Sequence, residues 1–135
     1  MRNLKVSVRA FCVLPFVTGA IDFTRGAGFL KSAGVPLSEE LVSNAILDSQ
    51  VRFWGAIWLG YGLVLWSSAS RLERDPGTFR LLCGILALSG LGRILSFVRC
   101  GSPGAPLTAA IAIETLGAAG FAVWHAALLR DAEPS

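Results

Sequence analysis

The chain has 135 residues, of which 53% are hydrophobic and only 16% charged, and its mean hydropathy is +0.61. A soluble domain covers its surface with roughly a quarter charged residues, so this composition excludes a disordered chain, a basic nucleic-acid module and most soluble enzymes. The net charge of +3 then belongs to Lys and Arg flanking apolar blocks, and the expected class is an all-α integral membrane protein.

The first apolar block runs from about Val6 to Thr24, with Arg9 near its start, Pro15 in its middle and Asp22 near its end. Arg2, Lys5 and Arg9 before AFCVLPFVTGA also have the form of a signal peptide; the segment is read here as a retained helix kinked at Pro15. A long link follows over 25–51, bent by Gly26, Gly28, Gly34 and Pro36. Within it, Ser38 followed by Glu39 and Glu40 reads as a capped helix start with carboxylates at the positive end of the dipole. Leu41, Val42, Ala45 and Ile46 then share one face. These signals predict a short amphipathic helix over 38–50, lying on the outer surface.

The second block, Phe53 to Ala69, runs without a charge between Arg52 and Arg71 and covers about 26 Å as a helix. The third runs from Leu81 to Val98 and carries Arg93; the fourth runs from Ala105 to Leu129 and carries Glu114 and His125. The expected architecture is one membrane domain over 1–135, a four-helix bundle with the amphipathic segment between its first two spans. Glycines 55, 60 and 62 on the second span, and 84, 90 and 92 on the third, predict close helix contact.

Seven Lys and Arg flank one side: Arg2, Lys5, Arg9, Arg71, Arg74, Arg80 and Arg130. Arg25, Lys31, Arg52 and Arg99 are spread over the longer outer segments. Both termini are therefore expected in the cytoplasm. Trp54, Trp66 and Trp124 fall near span ends, where indole rings favour the headgroup level. Cys12, Cys83 and Cys100 form no CxxC pair, which disfavours a thiol oxidoreductase. With a single His, no metal or haem site is expected, and no cofactor.

Ionisable groups at membrane depth are the strongest functional clue, since each costs roughly 2.5–3.5 kcal/mol at a helix centre. Arg93 lies about 9 Å below the outer boundary and Glu114 about 13 Å below it, on two spans joined by a tight turn, so the two are expected to meet. Asp48 and Arg52 are four apart on one helix face, and Asp22 approaches from the first span. The expected site is thus an outer cluster of Asp22, Asp48, Arg52, Arg93 and Glu114. It is read first as a structural ion network and second as a pocket for a polar or anionic ligand or lipid headgroup. Tyr61, Ser96 and His125 are secondary polar groups; His125, beside Trp124, is read as an interfacial anchor.

The pieces Arg52-Phe53-Trp54-Gly55, Gly92-Arg93 with Ser96, then Gly101 and Pro103, then Glu114 resemble in order and spacing a family of small bacterial four-helix membrane proteins known as domain of unknown function 4345. A more distant similarity is to DoxX-like membrane proteins. The resemblance implies that Arg52, Arg93 and Glu114 belong to the family pattern and implies a bacterial inner-membrane location; it implies no reaction. Arg99-Cys100-Gly101 departs from the acidic residue more usual before that glycine, which speaks against a metal role for the outer turn.

No nucleophile–base set, metal set or nucleotide loop is present, so the leading expectation is a non-enzymatic protein, an accessory subunit or self-associating bundle. Its partners would be membrane lipids and either further copies or a larger membrane complex, with no nucleic acid. The alternative is a small binding or transport protein using the outer cluster. A membrane enzyme with Glu114 as general acid or base ranks third, for want of a partner residue.

Overall fold

The computed structural model describes residues 1–132, and among these every regular element is helical. The elements are α1 (Arg2–Phe11), α2 (Val13–Arg25), α3 (Ala27–Ser32), α4 (Glu39–Val42), α5 (Ala45–Ser68), α6 (Pro76–Cys100), α7 (Ala105–Ala112), a π-helical turn (Ile113–Gly117) and α8 (Ala118–Arg130). Three stretches are long and apolar enough to cross a membrane: Arg2–Arg25, Pro76–Cys100 and Ala105–Arg130. They coincide with the first, third and fourth expected spans. All but the last residue of the second expected span lies inside α5, which has 24 residues but falls outside that group. Every stretch of α5 long enough to span includes Arg52, and Trp54, Trp58, Tyr61, Trp66 and three glycines dilute its hydropathy further.

The chain forms two compact units, one of Arg9–Ser67 and one of Met1–Val8 with the segment from Ser68 onward. In the first, α2 packs on α5 at backbone distance. A Cβ on Gly19 would stand 2.8 Å from the Leu59 nitrogen, and one on Gly55 would stand 2.5 Å from the Phe23 nitrogen. Gly62 meets Pro15 and Phe16 in the same way. Trp58 Nε1 donates to Thr18 Oγ1 at 2.9 Å, tying the two helices between the glycine contacts. Pro15 offers no N–H to the Phe11 carbonyl, and α1 accordingly ends at Phe11, with Cys12 holding helical dihedrals between the two segments.

The 38–50 segment departs from the expected single helix. Ser38 does cap a start, its hydroxyl accepting from the Leu41 N–H at 3.2 Å. The helix nevertheless stops after Val42, because Asn44 takes over as a cap: its Oδ1 accepts from the N–H groups of Ile46 and Leu47. A side chain that satisfies the first free donors of a new helix ends the old one. Residues from Ala45 onward therefore belong to α5.

In the second unit, α6 and the α7–π–α8 arm form a helical hairpin. Asp75 caps α6 by accepting from the Thr78 N–H at 3.2 Å. Gly101, with φ +87°, ends it. Leu4, Val8, Leu72, Phe79, Leu86 and Ala118 are buried here. Lys5 pairs with Glu73 at 2.7 Å, and one hollow is lined by Met1, Arg2, Asn3, Trp124 and Leu128. The N-terminal residues, the link before α6 and the end of α8 thus meet at one end of this unit. Burial in α6 ends at Gly90; every residue from Leu91 to Pro106 is exposed.

Candidate functional site

The structure brings the expected cluster together as two groups, each within its own unit. The first forms where α2 ends. Gly26 closes α2 with φ +57°, its N–H donating to the Asp22 carbonyl at 2.9 Å. Any side chain there would be strained and would overlap Asp48 Oδ1. That oxygen accepts from the Ala27 N–H at 3.1 Å, an orphan donor at the start of α3. The other oxygen, Oδ2, accepts from Arg52 Nε at 2.7 Å. Arg52 Nη1 reaches the last carbonyls of α2, donating to Phe23 at 3.0 Å and to Thr24 at 2.8 Å. The hydrogen bond from Arg52, followed by that from Ala27, holds the Asp48 carboxyl below its ordinary pKa of 3.8. Asp22 contributes its carbonyl and lies against Gly55, whose missing Cβ would stand 2.8 Å from the Asp22 Cβ. Arg52 here acts as a staple between helix ends.

The second group forms across the hairpin. Glu114 is only 4% exposed and sits in the π-helical turn. Arg93 Nε donates to both of its oxygens, at 3.0 and 2.9 Å, and Ser89 Oγ donates to Oε2 at 2.6 Å. Gly90 makes the approach possible, since a Cβ there would lie 2.5 Å from Thr115 Cγ2 and 3.2 Å from the Glu114 Cβ. The pair is lopsided: the Glu114 side chain is 5% exposed and that of Arg93 43%. An arginine carries five N–H donors. Only the Nε one is used, and the other four have no partner among the described residues.

Ser89 was not among the residues expected from sequence, although it stands four before Arg93 on the same helix face and is polar in an apolar run. Ser96, which was, is exposed and has no hydrogen-bond partner among the described residues. Tyr61 stacks on Trp58, with ring centroids 5.2 Å apart and planes 8° from parallel. Trp66 engages the Arg9 guanidinium at 5.4 Å and Phe16 at 6.1 Å.

His125 corrects the expectation of an interfacial anchor, for it is fully buried. Its Nε2 is 3.0 Å from the Leu72 carbonyl, which accepts the proton, and the Phe79 ring meets it edge to face at 4.9 Å. Its Nδ1 is buried without a partner. It fastens the link before α6 to α8, which is a packing role. Glycines 60, 84 and 92 have open space where a Cβ would stand, so the expected close contact applies to Gly55, Gly62 and Gly90 only. Cys12 and Cys83 are buried and Cys100 is exposed, and all three are free thiols. Among the described residues no three His, Cys, Asp or Glu side chains gather in a way that could hold a metal ion.

The model of the family described as Domain of unknown function (DUF4345) matches residues 4–125 of the chain. No curated protein and no solved structure matches it.

Proposed function

The chain belongs to the DUF4345 family, and on that footing we propose that it is a non-enzymatic four-span protein of the bacterial inner membrane that works as an accessory subunit or by self-association. The remaining span is 53–69, nearly all of it within α5, whose Trp and Tyr lower its hydropathy yet suit the membrane interface. The four spans form a bundle with both termini in the cytoplasm, as the distribution of Lys and Arg favours. The observation that carries the association reading is the bare outer half of the hairpin. From Leu91 to Pro106 no residue is buried, while Arg93 stands half-exposed at that level with four unused donors. A charged group at membrane depth is held by protein or water far more often than by lipid tails.

Purification in mild detergent tests this. The expected particle contains more than one copy or a co-purifying membrane protein, and a strictly monomeric particle of this chain alone would overturn the reading. Orientation has its own test: an impermeant thiol reagent on intact spheroplasts is expected to label the exposed Cys100 alone. Labelling confined to inside-out vesicles would reverse the topology.

A second reading is favoured by the same free donors: an outward-facing site in which Arg93 holds a polar or anionic ligand. In that case Arg93→Met abolishes co-purification of the ligand while the particle keeps its mass.

A further inference from the structure

The other end of the hairpin unit carries a second concentration of charge. Arg80 precedes Arg93 by thirteen residues on α6, about 20 Å along the axis, and Arg130 follows Glu114 by sixteen, about 24 Å. Both line an open groove of about 710 Å³, together with Glu73, Pro76, Ala126 and Leu129. The carboxylate of Glu73 is taken by Lys5 Nζ at 2.7 Å, and that hydrogen bond holds its pKa below the ordinary value of 4.5. Neither Arg80 nor Arg130 has a partner among the described residues. The groove therefore presents two guanidinium groups unpaired among the described residues, an acid already neutralised, and an apolar wall.

Its position narrows the occupant. Arg80 and Arg130 stand at adjacent ends of two helices long and apolar enough to cross a membrane, which is the headgroup level. Trp124, 39% exposed, lies between one and two turns from Arg130 on α8, and indole rings collect at that level. Guanidinium forks match phosphate oxygens, and basic pockets between membrane helices take lipid headgroups. With Glu73 committed to Lys5, no free described carboxylate in the groove remains to attract the cation of a zwitterionic headgroup. We infer that the groove between the start of α6 and the end of α8 binds the headgroup phosphate of an anionic phospholipid, held by Arg80 and Arg130, with an acyl chain along Leu129 and Ala126. This site is separate from Arg93 and stands or falls independently of the association reading.

The full chain in mild detergent is titrated, under native mass spectrometry, with phosphatidylglycerol, phosphatidylcholine and inorganic phosphate in separate arms. Phosphatidylglycerol is expected to be retained about thirtyfold better than phosphatidylcholine, the scale set by two basic contacts at a membrane surface. The Arg80→Gln/Arg130→Gln variant is expected to lose that preference, while Arg74→Gln, on the link before α6 and outside the groove, keeps it. The wild-type comparison needs no variant and so decides the matter even if the double variant fails to fold. Equal retention of the two lipids would overturn the proposal, as would an equal loss in Arg74→Gln, which would indicate diffuse charge. Inorganic phosphate displacing the lipid at matched concentration would also overturn it, by marking a free-anion site.

Discussion

Arg52 and Arg93 each grip a carboxylate through Nε, yet they use the rest of the guanidinium in opposite ways. Arg52 directs Nη1 to two carbonyls at the end of α2, and its partner Asp48 passes the restraint on to the first N–H of α3. That region is a closed knot around a glycine that admits no side chain. Arg93 faces a buried carboxylate on one edge and leaves the other edge unused among the described residues. A closed network supports a fold; an arginine with spare donors at membrane depth has capacity for something else. The difference separates a closed network from an open one in a cluster whose members look alike in sequence.

The largest effect expected is from Arg93→Met. It leaves Glu114 buried with only the Ser89 hydroxyl for company, and breaking a buried pair on this side costs about 3 kcal/mol. Glu114→Gln leaves the half-exposed Arg93 instead, and is expected to cost only about 1 kcal/mol because that long side chain can turn towards the membrane interface, as the buried Glu114 cannot. Thermal melts in detergent check the order, and the double variant Arg93→Met/Glu114→Gln should be more stable than Arg93→Met alone. Equal losses for the two single changes would erase the asymmetry on which the comparison rests.

Next in size is Gly55→Ala, which drives a Cβ into the backbone of α2 and is expected to cost about 2 kcal/mol through overpacking. Gly60→Ala, on the same helix with open space around it, should be neutral or stabilising by up to about 1 kcal/mol through helix propensity. If Gly60→Ala instead breaks a purified oligomer, the open glycine faces a second chain.

Acid sharpens the comparison from the other side. The folded pKa of Asp48 lies below its ordinary 3.8 because Arg52 and the Ala27 N–H hydrogen-bond its charged form. Its contribution is therefore fully present above the unfolded value and is lost as pH falls through the folded one. Tryptophan fluorescence of the α2–α5 unit should show a loss of structure beginning below about pH 4, and Asp48→Asn should remove that acid-dependent component. The smallest effect expected is from Glu73→Gln. An exposed pair with Lys5 contributes at most about 1 kcal/mol, so its melt should nearly superimpose on that of the parent.

The three apolar stretches that can cross a membrane were legible because length and composition decide them. The meeting of Arg93 and Glu114 was legible from residue counts on either side of a tight turn. Ser38 was legible as a cap, yet the end of its helix was not, because Asn44 offers a competing cap and either side chain looks sufficient alone. His125 was misplaced because its partner is a backbone carbonyl fifty-three residues earlier, and carbonyls leave no mark in sequence. Gly19 went unnoticed among singly placed glycines, since its role depends on which face of α2 meets Gly55 and Leu59. The pooling of Asp48 and Arg52 with Arg93 and Glu114 came from depth alone, which carries no information about which helices pack.

The π-helical turn at Ile113–Gly117 carries a constraint on phase. Glu114 anchors the arm to α6 partway along its length, and His125 anchors it nearer its C-terminal end to the Leu72 carbonyl. One extra residue in a helical turn rotates everything beyond it by about 100° relative to an uninterrupted helix. Glu114 lies within the turn and His125 beyond it, so the turn sets the phase of one anchor against the other. Removing one residue there would give a more regular helix with normal hydrogen bonding, and that helix could satisfy Glu114 or His125 but not both. Regularity and this double fastening are thus opposed in the arm: the irregular turn is the phase offset that lets one rod be held at two points.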